Sequence, residues 1–423
     1  MILLLVAVFF SLLLLGVPIF ISMVIPCVIA LTVNFGQMDI GVTVQRMVGG
    51  IDTFSLLSIP FFMFSADIMS KGDIGKRLIK FANSLVGHLP GGLGITTVLT
   101  CTIFGAISGA GPAAIVAIGL ILYPALQDAG YSRGFSIGII TSASTLAMLI
   151  PPGIAMILYG VSARVSVGKL FMSGLSVGLI VAVFFSVYVF FYAIKHKIPK
   201  QKQATSKEMW KAFTSAFWAL GLPVIILAGI YLGVMTPTEA SAVSVAYVVI
   251  IELFIYRSVT LKDIFKIAVT SGRMVAMIFI LIGAGSLLSW VITVMQIPQA
   301  IVTTMGGSSR FAILLLINAI FLVAGMFIDP NSMVIVLTPL VLPLAQIMNI
   351  DLLHLGIIIV LNAAIGMLTP PFGLNIFVSI GTFKRPYAEV VPTLVPYIVL
   401  MFIVLILVSA VPEVALWLPN QMK

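Results

Sequence analysis

A chain of 423 residues with 61% hydrophobic and 8% charged side chains is not a water-soluble globular protein, whose charged share is about 25%. Its long uncharged runs have the length of membrane-spanning helices, which excludes a β-barrel with its short alternating strands. The net charge of +9 invites a nucleic-acid reading, but the basic residues sit in short loops between apolar runs, where they report orientation in a bilayer.

In chain order, residues 2–17 and 18–35 read as two short spans divided at Gly16-Val17-Pro18. No basic residue precedes the first run, so it reads as a retained transmembrane helix and not as a cleaved signal. Residues 39–52 are more polar, carry Arg46 and read as an interfacial arm. Residues 53–70 span next, and the basic, amphipathic stretch 71–88 reads as a helix lying on the surface. The run 91–128 is split at Ser108-Gly109-Ala110-Gly111-Pro112 into two pieces, each short of the roughly 20 residues a crossing needs. It is a re-entrant hairpin. Residues 133–164 form a helix broken at Pro151-Pro152, and 169–194 span again. Residues 196–211 are a polar, lysine-rich cytoplasmic linker.

The second half repeats the programme. It has spans at 212–233 and 237–257, an arm at 260–273 and a span at 274–293. A hairpin follows at 310–349, split near Asp329, then a helix over 352–382 broken at Pro370-Pro371, and a last span at 388–411. Gly105 matches Gly325, Pro112 matches Pro330, Pro124 matches Pro343, Gln127 matches Gln346, and Pro151-Pro152 matches Pro370-Pro371, always 218 to 220 residues apart. Five landmarks in register inside one order of elements make an internal repeat, 1–195 and 212–423. Five passes per half is an odd number, so the second half enters from the opposite side. With the N-terminus outside, 17 of the 22 basic residues fall on the cytoplasmic side and five (Arg46, Arg164, Lys169, Arg310 and Lys423) outside, as the positive-inside rule requires.

Two hairpin tips and two broken helices in such a repeat should meet near the midplane, where unpaired backbone survives only against protein or a cavity. Helix ends offer carbonyls to a cation, and helix starts offer amides to an anion. The cation candidates are Gly105, Ser108, Ser142, Ser144, Thr145 and Ala147 in the first half. In the second they are Asn362 and Thr369, with Gly325, Gly366 and Met367 as carbonyl donors. On the substrate side stand Ser108, Gly109 and Gly111 at one tip, Asp329 and Asn331 at the other, and Pro152 and Pro371 at the breaks. Each has a plainer use: hydroxyls bond a carbonyl one turn back, and Asp329 before Pro330 suits a helix cap. An acid at membrane depth is nonetheless a functional residue by default. Because only the second tip has one, Asp329 reads as a substrate contact.

Among the remaining groups, Asp67 is expected to pair with Lys71 at a four-residue spacing. Glu239 reads as a first-turn helix acid and Glu252 as interfacial, near Arg257. Trp210, Trp218 and Trp417 read as interfacial anchors. Cys27 and Cys101 lie in apolar runs, no metal-binding spacing occurs, and His88, His196 and His354 are scattered.

With these motifs assembled, the chain resembles the large membrane subunit of TRAP transporters, the DctM-like family. The resemblance covers essentially the whole chain. It rests on Gly105-Ala106-Ile107-Ser108-Gly109-Ala110-Gly111-Pro112-Ala113-Ala114, on Leu149-Ile150-Pro151-Pro152-Gly153, on Asp329-Pro330, and on Leu368-Thr369-Pro370-Pro371-Phe372-Gly373. It implies an all-α polytopic fold working as an elevator, in the bacterial inner membrane with a periplasmic N-terminus. It implies a secondary transporter and not an enzyme, with sodium as the coupling ion and no other cofactor. Ser108 and Asp329 then contact substrate, and the two Pro-Pro breaks hold sodium. The implied partners are a small four-helix membrane subunit, expected as a separate chain, and a periplasmic substrate-binding protein. The implied cargo is an organic acid, sialic acid first and a C4-dicarboxylate second. A divalent-anion/sodium symporter of the same plan, needing no binding protein, is the alternative; such proteins resemble Ser-Asn-Thr tips, which this chain lacks.

Overall fold

The computed structural model describes residues 2–35, 40–296 and 309–422. Over these the chain is all-helical, and eight helical segments are long and apolar enough to cross a membrane, where ten crossings were expected. The eight include the 18-residue second arms of both hairpins, Gly111–Asp128 and Pro330–Ile347, which were expected to be too short. The chain is a multi-pass membrane protein, as the composition requires. Lys423, assigned to the outer side above, and residue 39 of the expected interfacial arm lie outside the described residues.

The first half opens with α1 (Ile2–Leu14) and α2 (Ile19–Phe35), then α3 (Ile40–Ile51), α4 (Ser58–Lys71) and the amphipathic α5 (Ile74–Val86). The hairpin is α6 (Gly92–Ser108) and α7 (Gly111–Asp128). The broken helix is α8 (Arg133–Ala143), a single turn α9 (Leu146–Leu149) and α10 (Ile154–Ala163), and α11 (Val167–Lys195) closes the half. In the second half come α12 (Ser206–Tyr231), α13 (Pro237–Ile250) and α14 (Leu261–Val294). The second hairpin is α15 (Arg310–Gly325) and α16 (Pro330–Ile347). The second broken helix is α17 (Leu352–Gly366) and α18 (Leu374–Phe383), before α19 (Tyr387–Ala410) and α20 (Glu413–Leu416).

Burial separates the two kinds of element. In the α8–α10 segment 89% of the most apolar window is buried, against 33% in α11, α12 and α19. The first broken helix and α17 are buried at the centre, whereas α18 keeps Leu374 and Phe377 exposed and α11, α12 and α19 are largely exposed along their length. A broken helix leaves backbone groups unpaired, so hydrocarbon cannot be its neighbour.

Several expectations are corrected. The linker ends at residue 205, because Thr205 and Glu208 form a capping box that starts α12 inside the expected linker. The arm 260–273 and the span 274–293 are one helix, α14, which begins on a capping box of Thr260 and Asp263. The corresponding first-half segment is bent by 62° between α3 and the helix that follows. Lys71 does not pair with Asp67. Its Nζ lies 2.5 Å from Asp263 Oδ1, while Asp67 accepts from Ser271 Oγ at 2.5 Å, so both groups pin α4 to α14. Glu252 is buried and accepts from Ser258, because a π-turn at Ile251–Ile255 carries it inward and away from Arg257. Glu239 caps α13 as a first-turn acid, and Trp210, Trp218 and Trp417 are exposed.

α3 lies against α14 where Gly50 meets Ser286; a Cβ at Gly50 would stand 2.2 Å from Ser286 Cβ. Gly50→Ala is therefore expected to lift α3 from α14 and cost about 1–3 kcal/mol, seen as a lower thermal unfolding midpoint of the purified protein. Gly49→Ala, whose added Cβ meets nothing within 4 Å, should leave that midpoint unchanged.

Candidate functional site

The first hairpin turns at Gly109, which sits in the left-handed region with φ +58° and donates its N–H to Gly105 O at 2.9 Å. A side chain is strained there. It would also collide, since a Cβ on Gly109 would lie 2.4 Å from Pro152 O. The tip therefore rests directly on the first break. The second tip makes the matching contact with a hydrogen bond: Phe372 N–H, just beyond Pro370-Pro371, donates to Met326 O at 3.1 Å. Behind each tip the backbones nearly touch. A Cβ on Gly105 would lie 2.7 Å from Ala147 Cα, and one on Gly325 would lie 3.0 Å from Gly366 Cα. Gly105 with Ala147, and Gly325 with Gly366, are thus brought together as the sequence placed them. Both Pro-Pro bonds are cis.

The two halves meet between these docked pairs. Asn375 of α18 donates to Ser144 Oγ at 2.9 Å, and the hydroxyls of Thr141 and Ser379 are 2.6 Å apart. Around Gly111, at the start of α7, a Cβ would meet Ser144 O at 3.1 Å and Met367 Cε at 3.2 Å. Ser144, Gly111 and Met367 therefore share one place. Asn375, Thr141 and Ser379 belong to it too and were missed. Their only sequence signal is a polar residue in a long apolar run, which packing serves as readily.

The hydroxyls first show their ordinary use. Ser144 donates to Thr141 O at 2.7 Å, Thr145 to Ser142 O at 2.7 Å and Thr369 to Ile365 O at 2.8 Å. A hydroxyl that gives its proton to a carbonyl keeps its lone pairs, so these residues can still ligate a cation through oxygen. Asn362 donates to Asn318 Oδ1 at 2.6 Å and to Ile358 O at 2.9 Å. Its own Oδ1 is buried without a partner, as are Ser142 Oγ and Asn375 Oδ1. They are three of thirteen buried side-chain polar atoms without a protein partner among the described residues, and each is left to accept from water or to ligate a cation.

Asp329 caps α16. Its Oδ1 accepts from the N–H groups of Asn331 and Ser332, both at 3.1 Å, so the cap role is real and Oδ2 is left for another partner. Ser108 is buried at the first tip, and its Oγ lies 3.4 Å from the Ala110 N–H that donates to it. The breaks differ in access: residues 150–153, Pro152 included, are buried, whereas Pro371 and Phe372 are exposed. Tyr387 donates its hydroxyl to Pro371 O at 3.2 Å from the side that carries Lys384 and Arg385.

A family model described as "Tripartite ATP-independent periplasmic transporter, DctM component" matches residues 6–414. The chain is 41% identical over 410 residues to the ectoine/5-hydroxyectoine TRAP transporter large permease protein of Ruegeria pomeroyi, covering 96% of each chain. It is 40% identical over 369 residues to the C4-dicarboxylate TRAP transporter large permease protein of Pseudomonas aeruginosa, covering 87% of this chain and 86% of that one. In fold it is similar to the Alcanivorax borkumensis YdaH transporter, with a TM-score of 0.60, 12% identity and 86% of each chain covered.

Proposed function

The chain belongs to the DctM component family of tripartite ATP-independent periplasmic transporters, and we propose on that premise that this large permease couples inward sodium movement to uptake of a carboxylate-bearing solute. The observation that carries the proposal is the meeting of the two docked breaks. Asn375 bonds Ser144 across the halves, and the buried oxygens of Ser142, Asn362 and Asn375 have no protein donor. Oxygen-only ligands of this kind suit a hard, small cation.

We assign one sodium site to Gly105, Ser108, Ser144, Thr145 and Ala147, and a second to Gly325, Asn362, Gly366, Met367 and Thr369. Substrate lies between the tips, touching Ser108, Gly109, Gly111, Asp329 and Asn331, with Pro152 and Pro371 beside it. The amide-bearing starts of α7 and α16 favour an anionic group there. The halves 1–195 and 212–423 form an inverted repeat in the bacterial inner membrane, with the N-terminus periplasmic. In an elevator cycle, exposure of Pro371 and Phe372 beside Lys384 and Arg385 would suit a site that opens inward. Of the two cargoes considered, sialic acid and a C4-dicarboxylate, the name of the Pseudomonas relative favours the dicarboxylate. A small four-helix membrane subunit and a periplasmic binding protein complete the system.

Uptake into proteoliposomes tests this. Transport is expected only with an inward sodium gradient, the small subunit and the cognate binding protein together; uptake of free solute by the large subunit alone would support the binding-protein-independent symporter instead. Thr369→Val keeps the side-chain shape and removes the oxygen. It should raise the sodium concentration for half-maximal uptake severalfold, and an unchanged sodium dependence would remove Thr369 from the site.

A further inference from the structure

A cavity of about 490 Å³ lies away from the tips, between α3, the C-terminal ends of α10 and α14, and the flank of α16. Arg46 and Arg164 both line it, with Ser286, Ser289, Trp290 and Gln346 among their neighbours, and no acidic residue among the described residues contributes to its wall. Neither arginine makes an ion pair among the described residues. The Arg46 guanidinium lies 4.9 Å from the centre of the Trp290 ring, which fixes it without neutralising it. Arg164 ends α10 in the left-handed region at φ +55°.

Charge placement makes this lining unusual. On the proposed orientation the outer side keeps only five of the 22 basic residues, and two of those five converge on one cavity. Depletion of basic residues is the rule on that side, so their retention calls for a local anionic partner. Hydroxyl donors on α14 and the Gln346 amide add neutral hydrogen-bonding groups that suit an oxyanion. On α16 the lining runs from Gln346 to Ile335, and Ile335 is about 9 Å along the helix from the Asp329 cap.

We propose that this cavity is an outer docking site for a soluble carboxylate, occupied before the solute reaches the Asp329 tip. The inference rests on the orientation and on the carboxylate cargo proposed above. Fixed positive charge in a partly enclosed cleft attracts anions, so the site would hold the solute as the binding protein releases it.

Trp290 provides the reporter. With Trp210, Trp218 and Trp417 replaced by Phe, the full chain in phosphatidylcholine nanodiscs has one fluorescent indole, in the cavity wall. Iodide quenching of Trp290, taken relative to quenching by neutral acrylamide, should fall by roughly half or more in Arg46→Gln and in Arg164→Asn; the acrylamide reference corrects for the ring face that Arg46→Gln uncovers. Asn is chosen at 164 because it tolerates the left-handed backbone. Arg164→Lys should keep the iodide response. Succinate should protect Trp290 from iodide in the parent protein and not in the two charge-removing variants. Iodide quenching indifferent to both arginines would overturn the proposal. So would protection by phosphatidylglycerol in the nanodisc with none from succinate, which would make the cavity a lipid headgroup site. Neither measurement uses a sodium gradient or uptake, so failure here is distinguishable from failure of the transport reading.

Discussion

Gly366→Ala is expected to reduce sodium-driven uptake about tenfold or more. The added Cβ would stand 2.7 Å from Gly325 Cα and 2.9 Å from both its carbonyl carbon and its oxygen. These are backbone atoms at the end of α15, and no rotamer change can move them aside. The hairpin would have to shift away from α17, at a cost of about 1–3 kcal/mol. The same shift would pull the Gly325 and Gly366 carbonyls from a common centre, so apparent sodium affinity should fall together with the maximum rate. Gly381→Ala in α18 is the control, because its Cβ meets nothing within 4 Å. Uptake in the Gly366 variant equal to that of the control would show that the close approach is packing alone.

Asp329→Asn separates two roles that coincide in one side chain. Asparagine caps helices about as well as aspartate, so the α16 start, with its two bonds from Asn331 and Ser332, should survive and thermal stability should hardly change. The charge is removed. A hydrogen bond to a charged group contributes about 1.5–3 kcal/mol, so uptake should fall by about tenfold or more if the carboxylate touches substrate. Asp329→Ala should lose the cap as well, at about 1 kcal/mol, and unfold at lower temperature. Wild-type uptake by Asp329→Asn would leave Asp329 with its cap role only.

The elements that make the candidate site were legible because they are written in residues with few alternatives. Two prolines in succession cannot continue a helix, Gly109 occupies a backbone conformation that side chains resist, and Asp-Pro starts a helix. Their matched spacing is what suggested a repeat, and tip-to-break contact followed from the limits of unpaired backbone in hydrocarbon. The bonds that join the halves were not legible. Asn375 with Ser144 and Thr141 with Ser379 are separated by more than 230 residues, and nothing local marks them as partners. The Asp67–Lys71 expectation failed because spacing along one helix competes with groups on a neighbour, and α14 supplied better partners to both. The early start of α12 was readable from Thr205 and Glu208, and was hidden only by the lysines around them.

The bend between α3 and the following helix, set against the unbroken α14, bears on the energetics of the cycle. If the two frames were equivalent and related by a two-fold axis, the inward and outward rest positions would be interchangeable and equally populated in a symmetric bilayer. In the elevator cycle proposed above, a 62° bend on one side and an unbroken helix on the other would give the moving parts two unlike seats. One rest state is then favoured before any ion or solute binds, and ligands act against that intrinsic bias. The bias sets how long the protein waits on each side. It does not set the direction of net flux, which belongs to the gradients alone.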